Sequence, residues 1–335
     1  MAMTGCAGDV LGTYLRAQAT AFLRGLRLHE EWGSPRMGVP PAVAGGESGG
    51  GADASEGSDA ARSLRGAARR ISGSLATFRG VTESSWADGL RTELVWLSST
   101  LADEHAYAAR LARLMDALHR LSGSAEVPAP RGTAGELTVG SARAGALLER
   151  QLTLARTRAH SATLQALGSA RFHAVADAVA VLASEVPLDP SAARGRIEDV
   201  LVPLAAVAET RLSAAVGSLP PAEDTHPYDA DRDGPWHEVR RLLRVHRYAR
   251  EALGEDVARA AAAGEALDRH RDAAEAANAS ATAARTPRIA PATAYALGIL
   301  HADQRHAAES ARFDFRQIWL PAPADQRGHA EITAG

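Results

Sequence analysis

Residues 236–248 read WHEVRRLLRVHRY, and within them His237, Arg240, Arg241, Arg244 and Arg247 are spaced three or four apart. On a helix that spacing puts one imidazole and four guanidinium groups along one side, in a row about 15 Å long. Guanidinium forks donate paired hydrogen bonds to phosphate or carboxylate oxygens, so such a row suits a repeating anion or an acidic partner surface. Val239, Leu242, Leu243 and His246 fall largely on the other side and give the helix a face to bury. Taken by itself, an arginine-rich helix is more simply explained by a solvated polar face.

A second run shares the pattern. Residues 62–71, RSLRGAARRI, align without gaps to residues 237–246, matching Arg65 with Arg240, Arg69 with Arg244 and Leu64 with Val239. Residues 62–79 hold five Arg and no acid, and residues 236–250 hold five Arg and one Glu, in a chain of formal charge −3. Cations are therefore clustered rather than abundant, which is what a local anion site requires. All 37 basic residues are Arg, a bias that an Arg- and Ala-rich genome explains better than phosphate recognition does.

Other chemistries find little support. No HExxH pair, glycine-rich phosphate loop or nucleophile elbow occurs, and His301 and His306 stand five apart, awkward for one metal on a helix. Cys6 is the single cysteine, so neither an internal disulfide nor a cysteine metal site is expected. The reading is of a protein that is not an enzyme, with no metal and no cofactor. Single-strand nucleic-acid binding would call for aromatic platforms, and only Trp236 and Tyr248 flank the basic run, so nucleic acid is an unlikely partner.

The elements that must position these residues are helices. The 335 residues are 46% hydrophobic but only 4% aromatic, and Ala is abundant, which favours closely packed helices over a β core. Periodicity predicts helices at about 9–28, 59–79, 86–99, 101–121, 140–167, 169–184, 197–219, 236 onward, 256–284 and 291–318, with no strand. Asp233 and Pro235 are a plausible cap and first-turn pair for the helix that starts at Trp236. The organisation expected is an N-terminal helix (1–32) belonging to the first bundle and a flexible Gly/Ser/Pro-rich loop (33–58). Two helical halves (59–185 and 186–320) and a disordered tail (321–335) follow. The N-terminus lacks a secretory pattern and no window reaches an uninterrupted apolar span, so a cytoplasmic protein without membrane contact is expected.

At these residues the chain resembles the CHAD family, the conserved-histidine α-helical domain, in its actinobacterial style. WHEVRRLLRVHRYA is similar to the family's second motif. His237 stands at the histidine position, Arg240 and Arg241 at the next basic pair, and Arg244, Arg247 and Tyr248 at the later ones. ARSLRGAARRISGSLATF is similar to a degenerate first motif, with Arg65, Arg69 and Arg70 in place and Arg62 where the family has histidine. TESSWADGLRTELVWLSSTLAD, LERQLTLARTRAHSATLQALGSARF and GILHADQRHAAESARFDF extend the similarity over about 59–320. The resemblance implies an all-α fold of two pseudo-symmetric four-helix bundles with long antiparallel helices, whose basic helices meet at a positive groove. It also implies non-catalytic binding of inorganic polyphosphate there, and association with polyphosphate granules. The site would comprise Arg62, Arg65, Arg69, Arg70, His237, Arg240, Arg241, Arg244 and Arg247, with Arg150, Arg158, Arg211, His301 and Arg305 as lesser contributors. His270 and Asp272 match a family position suited to orienting arginines. Departures at Ser72, Val245 and residues 101–106 leave an alternative: a scaffold that binds a protein partner through the same basic face or the loop 220–234, with polyphosphate affinity weak or lost.

Overall fold

The computed structural model describes residues 5–33, 50–123, 134–221 and 230–320. Among them ten helices follow in order: α1 (Ala7–Gly33), α2 (Gly50–Thr77), α3 (Ser84–Gly123), α4 (Ala134–Leu167), α5 (Ala170–Ser184), α6 (Pro190–Ala193), α7 (Ile197–Gly217), α8 (Gly234–Ala252), α9 (Ala258–Ala284) and α10 (Pro291–Trp319). A 3-10 turn, Ala230–Asp233, leads into α8. The described residues form no strand, only isolated bridges between Cys6 and Arg196 and between Thr82 and Leu188. The fold is all-α.

Helices α2 and α3 differ from the sequence reading. Helices expected at 86–99 and 101–121 are one 40-residue helix, α3. The helix runs on through Ser98-Ser99-Thr100, where Ser99 and Thr100 donate their hydroxyls to the Trp96 carbonyl (2.8 and 3.1 Å) and so leave the backbone ladder intact. The loop expected at 33–58 is helical from Gly50, since Ala52, Ala54 and Glu56 are helix formers between the glycines; residues 34–49 lie outside the described residues. So do 222–229, most of the polar loop, and the tail 321–335. α7 is long and apolar enough to cross a membrane by length and composition, although Leu201, Ala205, Ala208 and Leu212 are buried in the fold.

Contacts divide the chain into two compact units, each assembled from three stretches. The first comprises Met1–Ala108, Leu154–Thr210 and Tyr248–Glu255, the second Ala109–Thr153, Arg211–Arg247 and Asp256–Gly335. Residues 59–185 and 186–320 each contribute to both.

In the first unit, Leu11, Leu15, Ala19 and Phe22 form the buried stripe of α1 at steps of three and four. They pack with Leu64, Ile71 and Leu75 of α2, Phe78 just past its end, Leu94 and Leu97 of α3, and Phe172, Val175 and Val179 of α5. Each of the larger side chains here (Leu, Ile, Val or Phe) contributes about 1.5–3 kcal/mol on leaving water. A Cβ at Gly25 would stand 3.1 Å from the Leu64 backbone nitrogen, so glycine permits the close approach of α1 to α2.

The second unit is built on small residues. Ala260, Ala263, Ala266, Ala273, Ala276 and Ala277 are buried along α9, which lies close against α10. Trp236, Val239 and Leu243 of α8 fill its core with Leu267 and Phe315. The apolar side expected for α8 is therefore the side it buries, with His246 buried there too, edge-on to Trp319.

Candidate functional site

The basic face of α2 belongs to the first unit. Arg62 is exposed and ion-paired to Asp59 one turn back. Arg65, Arg69 and Arg70 are half-buried. The buried Nε of Arg69 has no hydrogen-bond partner among the described residues. Arg70 donates through Nε to Glu251 Oε2 (2.8 Å) and lies over the Tyr248 ring, 5.5 Å from its centre. Glu251 also accepts from the Tyr14 hydroxyl (3.2 Å), and burial, reinforced by the Glu251 charge, pushes that phenol well above its usual range.

The face of α8 that carries the motif belongs to the second unit. His237 lies on the exposed side, its ring centre 5.6 Å from that of the fully buried His270. Partial burial lowers the His237 imidazole pKa, the nearby Arg240 and Arg271 work in the same direction, and Asp233 opposes them. A bound polyanion would restore the charged form. Arg240 is mostly buried and ion-paired to Asp268 on α9, while Arg241 is exposed and bonds Glu238 through Nε (2.8 Å) and Nη2 (2.5 Å). Arg244 and Arg247 are half-buried.

Around His237 and Arg240 the surface carries charges of both signs. Arg271 bonds Asp272 through Nε (3.0 Å) and reaches Glu275 at 3.8 Å, and Arg110 of α3 is ion-paired to the same Glu275. Arg110 and Arg271 are cations that sequence reasoning passed over. Both lay outside the two basic runs, and only their shared partner Glu275 brings them together.

Beneath α8 is a buried polar node. Asp233 accepts from Arg305 through both oxygens (2.6 and 3.0 Å) and from Arg312, and His270 Nε2 stands 3.5 Å away. Burial alone would raise the Asp233 carboxyl; its contacts with His270, Arg305 and Arg312 outweigh that and hold it far below the usual carboxylate range. Asp233, expected from the sequence as a helix cap, is the carboxylate that two buried guanidiniums share. Arg305, 1% exposed, is a structural cation and no lesser contributor to an anion surface. Trp236 closes the node, edge-on to Phe315 at 6.0 Å with the Arg312 and Arg316 guanidiniums 5.2 and 5.1 Å from its ring centre.

The CHAD domain model matches residues 51–286, most of the chain and both arginine faces. The chain belongs to the CHAD domain family. It is similar to PptA from Streptomyces chartreusis, with 55% identity over 95% of this chain and 100% of that one, at a TM-score of 0.77. It is also similar in fold to the CHAD domain from the plant Ricinus communis, with 18% identity over 95% of this chain and 94% of the other, at a TM-score of 0.56. No curated protein matches. In CHAD terms, the second motif here is a half-buried ladder resting on the Asp233 node, and the first is a ladder anchored at Arg70.

Proposed function

We propose that this chain binds inorganic polyphosphate without transforming it, through the arginine faces of α2 and α8. Family membership supports the reading. The observation that carries it is the arrangement of α8: His237, Arg240, Arg241, Arg244 and Arg247 lie off the side that buries Val239, Leu243 and His246. Phosphate oxygens accept the charge-assisted, often bidentate bonds that guanidinium groups donate, and each cation engaged releases condensed counterions. No cofactor takes part and no residue is assigned a catalytic role. Calorimetric titration with long-chain polyphosphate at two salt concentrations tests this. Binding should be tight at low salt, strengthen with chain length, and weaken steeply as salt rises. No binding at low salt, or unchanged binding after Arg240→Glu with Arg244→Glu, overturns it. Competition with RNA should leave polyphosphate bound. In cells, a fluorescent fusion is expected in the cytoplasm, gathered on polyphosphate granules.

A second reading has its own support. Arg62, Arg70, Arg240 and Arg241 already hold carboxylates of this chain, and Val202 and Val207 of α7 are exposed. A CHAD scaffold that docks a protein would form a stoichiometric complex, seen by light scattering, that polyphosphate does not disturb.

A further inference from the structure

Arg70 is held by a carboxylate and an aromatic ring together. Its Nε is committed to Glu251, a carboxylate whose side chain is only 18% exposed and which the Tyr14 hydroxyl also steadies. One side of its guanidinium faces the buried Tyr248 ring. Tyr248 in turn is fixed by a close fit: a Cβ at Gly73 would stand 2.8 Å from its Cδ2, so only glycine lets the ring lie there. On the remaining edge, a Cβ at Gly66 would come only within 3.5 Å of Nη1, and the Arg70 side chain keeps 32% of its surface exposed. With Nε and a face committed, the Nη pair is the edge left for a ligand.

A long flexible cation ordinarily loses rotamer freedom when it grips an anion; one already fixed loses little, and that difference appears as affinity. We propose that Arg70 is a preorganised phosphate clamp, and that Glu251 and Tyr248 are its positioning residues. The inference rests on the polyphosphate reading above and deepens it. It has a counter-intuitive consequence: a carboxylate beside the site strengthens binding of a polyanion. Simple electrostatics demands the opposite.

The test uses the full-length protein and long-chain polyphosphate at several salt concentrations. Glu251→Ala and Tyr248→Leu should each weaken binding about tenfold, while Glu251→Gln, whose amide oxygen still accepts from Nε, should stay within about threefold of wild type. In Glu251→Ala the slope of log affinity against log salt should fall in magnitude by about one, as the freed Arg70 no longer makes its contact. Tighter binding in both Glu251 variants overturns the clamp, because it shows the carboxylate acting only through its charge. Unchanged affinity and salt slope in Glu251→Ala, with a lower melting temperature, overturns it in favour of a purely structural pair. Should Glu251→Ala fail to fold, Tyr248→Leu and Glu251→Gln decide between the same outcomes. A wild type that ignores polyphosphate overturns the function itself and the clamp with it.

Discussion

Asp233 supports two buried guanidiniums and lies beside a buried imidazole, so its removal takes a carboxylate away from both buried cations. Asp233→Ala should destabilise the protein by about 3–5 kcal/mol in denaturant titrations. The same node sets a pH dependence. Burial first of all lowers the His270 pKa below its ordinary value, with Asp233 opposing, so the unfolded chain takes up that proton before the folded one does. Stability should therefore fall as pH drops through about 6.5, and His270→Asn should flatten that limb. Asp233, whose folded pKa is also depressed, adds a further loss below about pH 4, where the unfolded carboxyl protonates first. At this scale the sequence was half legible. Helical spacing picked out the arginines, but Arg70 and Glu251 are 181 positions apart and Arg305 and Asp233 are 72 apart, so no local pattern told which cations already had partners.

The helices invite a paired experiment on glycine. A Cβ at Gly140 in α4 would lie 2.4 Å from the carbonyl oxygen of Ala292, at the start of α10, and backbone cannot swing aside as a side chain can. Gly140→Ala should cost about 1–3 kcal/mol by overpacking. Gly298 in α10 has nothing within 4 Å of the same position, so Gly298→Ala should stabilise by about 0.5–1 kcal/mol, read as a rise in melting temperature. Most of the helices were visible in the apolar periodicity because their cores are leucine stripes, as on α1. The continuity of α3 was not, since Ser-Ser-Thr reads as a break until its hydroxyls are seen bonded within the helix. The early start of α2 was hidden by glycines whose cost is offset elsewhere in the helix.

For the molecule as a whole, the number of arginines overstates the anion affinity. Besides Arg70, which its carboxylate positions, three of the nine candidate groups (Arg62, Arg240 and Arg241) hold carboxylates of this chain, and His237 leans towards its neutral form. The salt slope for polyphosphate should accordingly be about −3 to −5, well short of what nine independent cations would give. Fold class and family were legible from two arginine ladders and an alanine-rich composition. The partition into units was not, because it depends on contacts between stretches far apart in the chain.

That partition bears on how the protein is made. The first unit's core includes Ala249, Ala252 and Leu253, at and just past the end of α8, and the second unit needs α9 and α10. A nascent chain leaving the ribosome therefore cannot finish either unit early, although its first 185 residues already spell out five helices. A fragment ending there should show helical circular dichroism without a cooperative unfolding transition. During synthesis the exposed leucine stripes of α1 to α5 must wait for the end of α8, a long interval of vulnerability for which a chaperone is the natural remedy.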